Sequence, residues 1–133
     1  MPTVKLIEET DPNPIVQEVF NDIKATRKVE RIGNFWRALA NNPEHLKIVW
    51  TQLKTIMKPG KVDALTKEII AVAVSTTNSC RYCVNSHTAA AQKLGLDTEA
   101  LTEVMAVIGL FNMTNKLADG YQIEPDVFPK IDP

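Results

Sequence analysis

Two cysteines, three positions apart, carry all the thiol chemistry of this 133-residue chain: Cys80-Arg81-Tyr82-Cys83, with His87 four residues further on. Glu68 lies twelve residues before Cys80, which makes the string E-x11-C-x-x-C-x3-H. Two thiols, an imidazole and a carboxylate are the parts needed to form a thiolate, oxidise it and resolve it as a disulfide.

Helical geometry gives the spacing its meaning. At about 100° of rotation per residue, positions 80, 83 and 87 fall within an arc of roughly 60°, on one face. Helical residues three apart also lie within the Cα span of about 4.4–6.8 Å that a disulfide needs. A place in the first helical turn sets the thiols beside unpaired backbone N–H groups and the positive end of the macrodipole, which favour thiolate over thiol. His87, one turn beyond Cys83, can take a thiol proton, and a carboxylate touching the imidazole would strengthen it as a base. Glu68 sits among Ile69, Ile70 and Val72 and is the candidate for that carboxylate. The simpler reading puts Glu68, after Lys67, on the wet side of its helix and makes His87 an ordinary polar contact. A C-x-x-C alone decides nothing. With all four at these spacings, the functional reading wins.

Composition narrows the setting. Fifteen basic and sixteen acidic residues give a net charge of -1, and no polybasic run occurs. Nucleic acid and anionic membrane surfaces are therefore not expected partners. No apolar run approaches the roughly 18 residues of a membrane span. Met1-Pro2-Thr3-Val4-Lys5 lacks the layout of a signal peptide. The expectation is a cytoplasmic protein, where a C-x-x-C pair is redox-active or metal-binding more often than a structural staple. Zinc takes about four ligands, and only Cys80, Cys83 and His87 cluster, with His45 a fourth only if the fold brings it close. No metal and no other cofactor is expected. His45 otherwise reads as a surface residue, whereas Arg81 and Tyr82, between the thiols, could gate access or steady a thiolate.

The elements that must hold these residues read as helices. Pro14 opens one that carries Ile15, Val16, Val19, Phe20 and Ile23 at helical spacing. Phe35, Trp36, Leu39 and Ala40 form a short second helix after Gly33. Asn42-Pro43 starts a third, whose stripe of Leu46, Val49, Trp50, Leu53, Ile56 and Met57 ends at Pro59-Gly60. Asp63 caps a fourth, running to about Thr76; its run Ile69 to Val74 resembles a buried strand but has no partner strands. Thr77-Asn78-Ser79 is a polar break before a helix from about Cys80 to Leu94, closed by Gly95. Asp97 caps a helix carrying Leu101, Val104, Met105 and Ile108, and a separate last stretch runs from Phe111 to Ala118 and ends at Gly120. The tail from Tyr121 to Pro133, with Pro125, Pro129 and Pro133, should be an extended arm.

Glu68, Cys80, Cys83 and His87 together fit the signature of the alkylhydroperoxidase D (AhpD)-like group of the carboxymuconolactone decarboxylase superfamily. Leu65-Thr66-Lys67-Glu68, Ser86-His87 and Leu94-Gly95 also look typical of it. The resemblance implies a single all-α AhpD-like domain over residues 1–133, of about six or seven helices, assembled as a homo-oligomer (trimer or hexamer). It implies peroxidase and disulfide reductase activity, with Cys83 the peroxidatic cysteine, Cys80 its resolving partner, and Glu68 and His87 a proton relay. The best-known members carry a histidine just before the second cysteine, where this chain has Tyr82.

The leading expectation is thus a thiol-dependent antioxidant enzyme. It would reduce a hydroperoxide and be recycled by a dithiol partner such as a lipoylated or thioredoxin-like protein. Decarboxylation of a muconolactone-type acid is a second reading, although that chemistry needs no cysteine pair. A non-enzymatic redox-sensing oligomeric domain is a third. Exposed apolar faces carrying Trp36, Leu39, Leu46, Val49, Trp50 and Leu53 are the residue-level reason to expect a homo-oligomer, with Trp36 and Trp50 on their stripes reading as core or subunit contact.

Overall fold

The computed structural model describes residues 1–132 and is all-α, with six helices and no strand among them. Their contacts group into two compact units, Met1–Lys58 and Pro59 onward. No helix among the described residues is long and apolar enough to cross a membrane.

The first unit holds α1 (Pro14–Arg27), α2 (Asn34–Leu39) and α3 (Pro43–Ile56). Each long helix starts as its sequence dictates. The Asn13 side chain accepts from the Ile15 and Val16 N–H groups before Pro14, and Asn42 accepts from His45 N–H before Pro43. Val16, Val19, Phe20 and Ile23 of α1 are buried against Trp36, Leu46 and Trp50, and the two indoles meet edge-on at 5.3 Å. This corrects the surface expected from sequence: Trp36, Leu46 and Trp50 are at most 4% exposed, and Leu39, Val49 and Leu53 pack against the same core. The α1 stripe covers that face from within the chain. Asp22 of α1 ties the pair together, accepting from Trp50 Nε1 at 2.7 Å and from Lys54 Nζ at 2.8 Å.

The second unit holds α4 (Ala64–Thr77), α5 (Arg81–Lys93) and α6 (Thr98–Gly120). Asp63 and Asp97 cap α4 and α6 through Thr66 N–H and Ala100 N–H. Val72, Ala91, Leu96 and Ile108 are its buried apolar residues. The run Ile69–Val74 lies inside α4, as helix. α6 also corrects the sequence reading, which split it into two helices around residues 109–110. Gly109 weakens a helix by about 1 kcal/mol but keeps its N–H, so the backbone ladder runs through without a break. Beyond Gln122 the described tail has no regular secondary structure and is exposed. Pro133, the last of the three prolines expected to stiffen it, lies outside the described residues.

Candidate functional site

The site is built on the helical hairpin α4–α5, and the join between those helices is unusually short. Ser79 adopts the left-handed conformation (φ 60°); its N–H reaches Thr76 O, and the next N–H, of Cys80, reaches Ser75 O at 2.9 Å. That pattern is a Schellman closure of α4, with serine where glycine is the usual occupant. Cys80 then serves as the N-cap of α5, its Sγ accepting from Cys83 N–H at 3.3 Å. One residue therefore ends one helix and begins the next. The sequence reading placed Cys80 inside the helix; it stands at the cap, and α5 proper begins at Arg81.

Cys80 and Cys83 are joined as a disulfide, with Cα atoms 5.3 Å apart, so the chain is described in its oxidised form. Both sulfurs are held in the first turn of α5, where backbone N–H groups point outward. One turn beyond Cys83, His87 extends Nδ1 to Glu68 Oε2 at 2.7 Å, across the hairpin from α5 to α4. The side chains of Glu68 and His87 are only 12% and 19% exposed, so the carboxylate is not on the wet side of its helix. An ionised carboxylate can only accept, so it pairs with a protonated Nδ1; in the neutral imidazole that tautomer leaves Nε2 with a lone pair. The arrangement can hold an imidazole in one tautomer, take a proton and return it, beside two sulfurs that exchange electrons.

Three further residues were singled out from sequence: His45, Arg81 and Tyr82. His45 is exposed in the first turn of α3. Tyr82, between the two sulfurs in sequence, is 45% exposed, and Arg81 is exposed as well. Among the described residues no group of three or more His, Cys, Asp and Glu side chains is arranged to hold a metal. Ser79 is what sequence reasoning missed, because the left-handed position normally announces itself with glycine. Lys28 (φ 53°) and Gln122 (φ 52°) take the same conformation at the ends of α1 and α6, so it is a way of closing helices and not itself a sign of chemistry.

The chain belongs to the carboxymuconolactone decarboxylase family, which its residues 43–123 match. Within it the likeness is to AhpD proteins. The crystal structure of the alkylhydroperoxidase AhpD core from Rhodospirillum rubrum superimposes with a TM-score of 0.91 at 48% identity, over 95% of each chain. The alkyl hydroperoxide reductase AhpD of Streptomyces griseus is 25% identical over 122 residues, 86% of this chain and 68% of that protein. An uncharacterized protein of Bacillus subtilis, YdfG, is 34% identical over 53 residues, 40% of this chain and 35% of its own length.

Proposed function

We propose that this chain is a thiol-dependent hydroperoxide reductase that works through Cys80 and Cys83, with Glu68 and His87 as its proton relay. The observation that carries the reading is the 2.7 Å Glu68–His87 pair, set on the same helical hairpin as the joined cysteines. The activities in the names of the two AhpD relatives point the same way.

In the reduced protein His87 Nε2 takes the Cys83 proton, while Glu68 holds Nδ1 and stabilises the imidazolium. The Cys83 thiolate attacks a hydroperoxide oxygen; the O–O bond breaks, the sulfur becomes sulfenic acid, and the leaving alkoxide takes the proton from His87 as an alcohol. Cys80 attacks that sulfur, forming the disulfide and releasing water. A dithiol partner, such as a lipoylated or thioredoxin-like protein, restores both thiols and leaves as its own disulfide. The cap position suits Cys80 to the second step: the Cys83 N–H that meets its sulfur favours the thiolate, both as resolving nucleophile and as leaving group on reduction. No cofactor enters these steps. The same proposal includes a cytoplasmic setting, where such dithiols are kept reduced, and a homo-oligomer, trimer or hexamer.

The direct test is thiol titration and peptide mass spectrometry on reduced protein before and after one equivalent of organic hydroperoxide. The expected product is one intramolecular Cys80–Cys83 disulfide, two hydrogens lighter, with stoichiometric alcohol. Thiols that survive, or that end as intermolecular dimers or hyperoxidised Cys80, overturn the proposal.

A further inference from the structure

One formal charge stands beside the two sulfurs, and nothing within the chain answers it. Arg81 follows Cys80 directly and opens α5, with its side chain exposed. Among the described residues its guanidinium takes part in no ion pair and no hydrogen bond. A cation in a first helical turn also stands against the macrodipole, where a carboxylate is the favoured occupant. The placement therefore does nothing for the stability of α5. Thr77, Asn78, Ser79, Tyr82 and Asn85 flank the cysteines, exposed and uncharged. None of residues 69–96 is Asp or Glu, and Glu68, just before them, is held by His87 at 2.7 Å. Lys93, the other cation of α5, lies at its far end. α6, which meets α4 at Asn112–Thr77, adds Lys116 and Asp119 later in its sequence, one charge of each sign.

We propose that Arg81 receives the dithiol reductant by a carboxylate that the partner carries beside its own thiols. This rests on the reading that a dithiol reopens the disulfide, and it adds what that dithiol's surroundings must offer. A partner thiolate attacks one sulfur and breaks the Cys80–Cys83 bond. The partner's second thiolate then attacks the first to close its own disulfide, and two electrons and two protons pass to this chain. A guanidinium presents a fork of N–H donors that a carboxylate meets with two bonds. The rim around the sulfurs is polar apart from the Tyr82 ring, so it suits a small, brief contact steered by charge. A partner that must hand over electrons and leave is served by fast arrival without slow release. A cation that only steadied a thiolate would speed every reductant alike, and that difference is measurable.

Stopped-flow reduction of the purified disulfide form, with no peroxide present, tests the inference. The probes are three synthetic peptides that share a Cys-Gly-Pro-Cys core and are flanked on both sides by Glu, Gln or Lys pairs. Each rate is divided by the same peptide's rate on the neutral disulfide of mercaptoethanol, which removes differences in its own thiol reactivity. At low ionic strength the Glu peptide should react about tenfold faster than the Gln peptide, and the Lys peptide slower still, with the spread closing as salt rises. Arg81→Gln should abolish the preference and Arg81→Glu should invert it, with circular dichroism checking both folds. Lys93→Gln is the control and should leave the preference intact. Equal normalised rates on wild type, a preference that survives Arg81→Gln, or one lost with Lys93→Gln each overturns the inference. So does a uniform slowing of all three peptides by Arg81→Gln, which would make Arg81 a group that only steadies a thiolate. A disulfide form that none of the peptides reduces overturns the redox reading beneath the inference as well.

Discussion

Two sulfurs three residues apart are equivalent on paper, and their surroundings make them different. Cys80 caps α5 and accepts from a backbone N–H, whereas Cys83 lies one turn from the histidine. Cys83→Ser should therefore abolish hydroperoxide consumption. Cys80→Ser should consume one equivalent and leave a sulfenic acid that dimedone labels at residue 83; a label at residue 80 in the complementary variant reverses the roles. Glu68→Gln and His87→Gln should each slow peroxide attack near neutral pH by about 10²–10⁴-fold, the usual worth of a general base. The loss should shrink at higher pH, where the thiol ionises unaided, and the double variant should be little worse than either single one. Alkylation rate against pH measures this, and profiles that overlay wild type would make the pair structural. The shared face of Cys83 and His87 was legible from spacing alone, because helical residues four apart lie on one face. The exposure of Glu68 was not, since a carboxylate beside a lysine looks equally at home in solvent.

At the scale of the elements, the helix starts were readable and one of the joins was not. Asn13-Pro14, Asn42-Pro43, Asp63 and Asp97 all cap as their side chains require. The close of α4 was unreadable because Ser79 does the work of a glycine. Ser79→Gly should consequently stabilise the chain by about 1 kcal/mol, visible as a rise of a few degrees in melting temperature. A fall would mean that the hydroxyl matters more than the backbone. Asp22 governs the α1–α3 contact. The Lys54 ammonium, and after it the Trp50 N–H, hold its carboxyl below the usual aspartate value of 3.8. A depressed folded value means stabilisation that is complete above the unfolded value and lost as pH falls through the folded one. The gap in melting temperature between wild type and Asp22→Asn should thus be present at pH 7 and close below about pH 4. The pair is two-fifths exposed, so the gap should be small and shrink further in salt. A gap that widens in acid would refute the assignment.

For the whole molecule, periodicity revealed that the chain is helical but not which faces of the helices cover one another. The stripe with Trp36, Leu46 and Trp50 could have been core or a subunit contact from sequence, and it is core, closed by α1. Uncovered apolar side chains lie elsewhere, among them Ile48 and Ile56 on α3 and Val107, Leu110, Phe111 and Leu117 on α6, which the sequence had split into two helices. An amphipathic stripe says that something is buried, not what buries it. The described arm makes the converse point. Val127, Phe128 and Ile131 are 74–92% exposed, so removing residues 123–133 should leave the melting temperature of isolated chains within about a degree; a larger fall would show the arm packing on its own chain.

The double duty of Cys80 has a consequence for the length of the chain. Because it finishes α4 and opens α5 with no residue to spare, the count between Glu68 and the sulfurs is locked. A single residue inserted after Ser79 would turn α5 by about 100° relative to α4, or push the added residue into the cap itself. Either way the sulfurs and His87, which move together on α5, lose their register with Glu68 on α4. A loop between helices ordinarily absorbs such an insertion without effect. Here the hairpin works as a gear train with no slack, in which one extra tooth disengages every wheel beyond it.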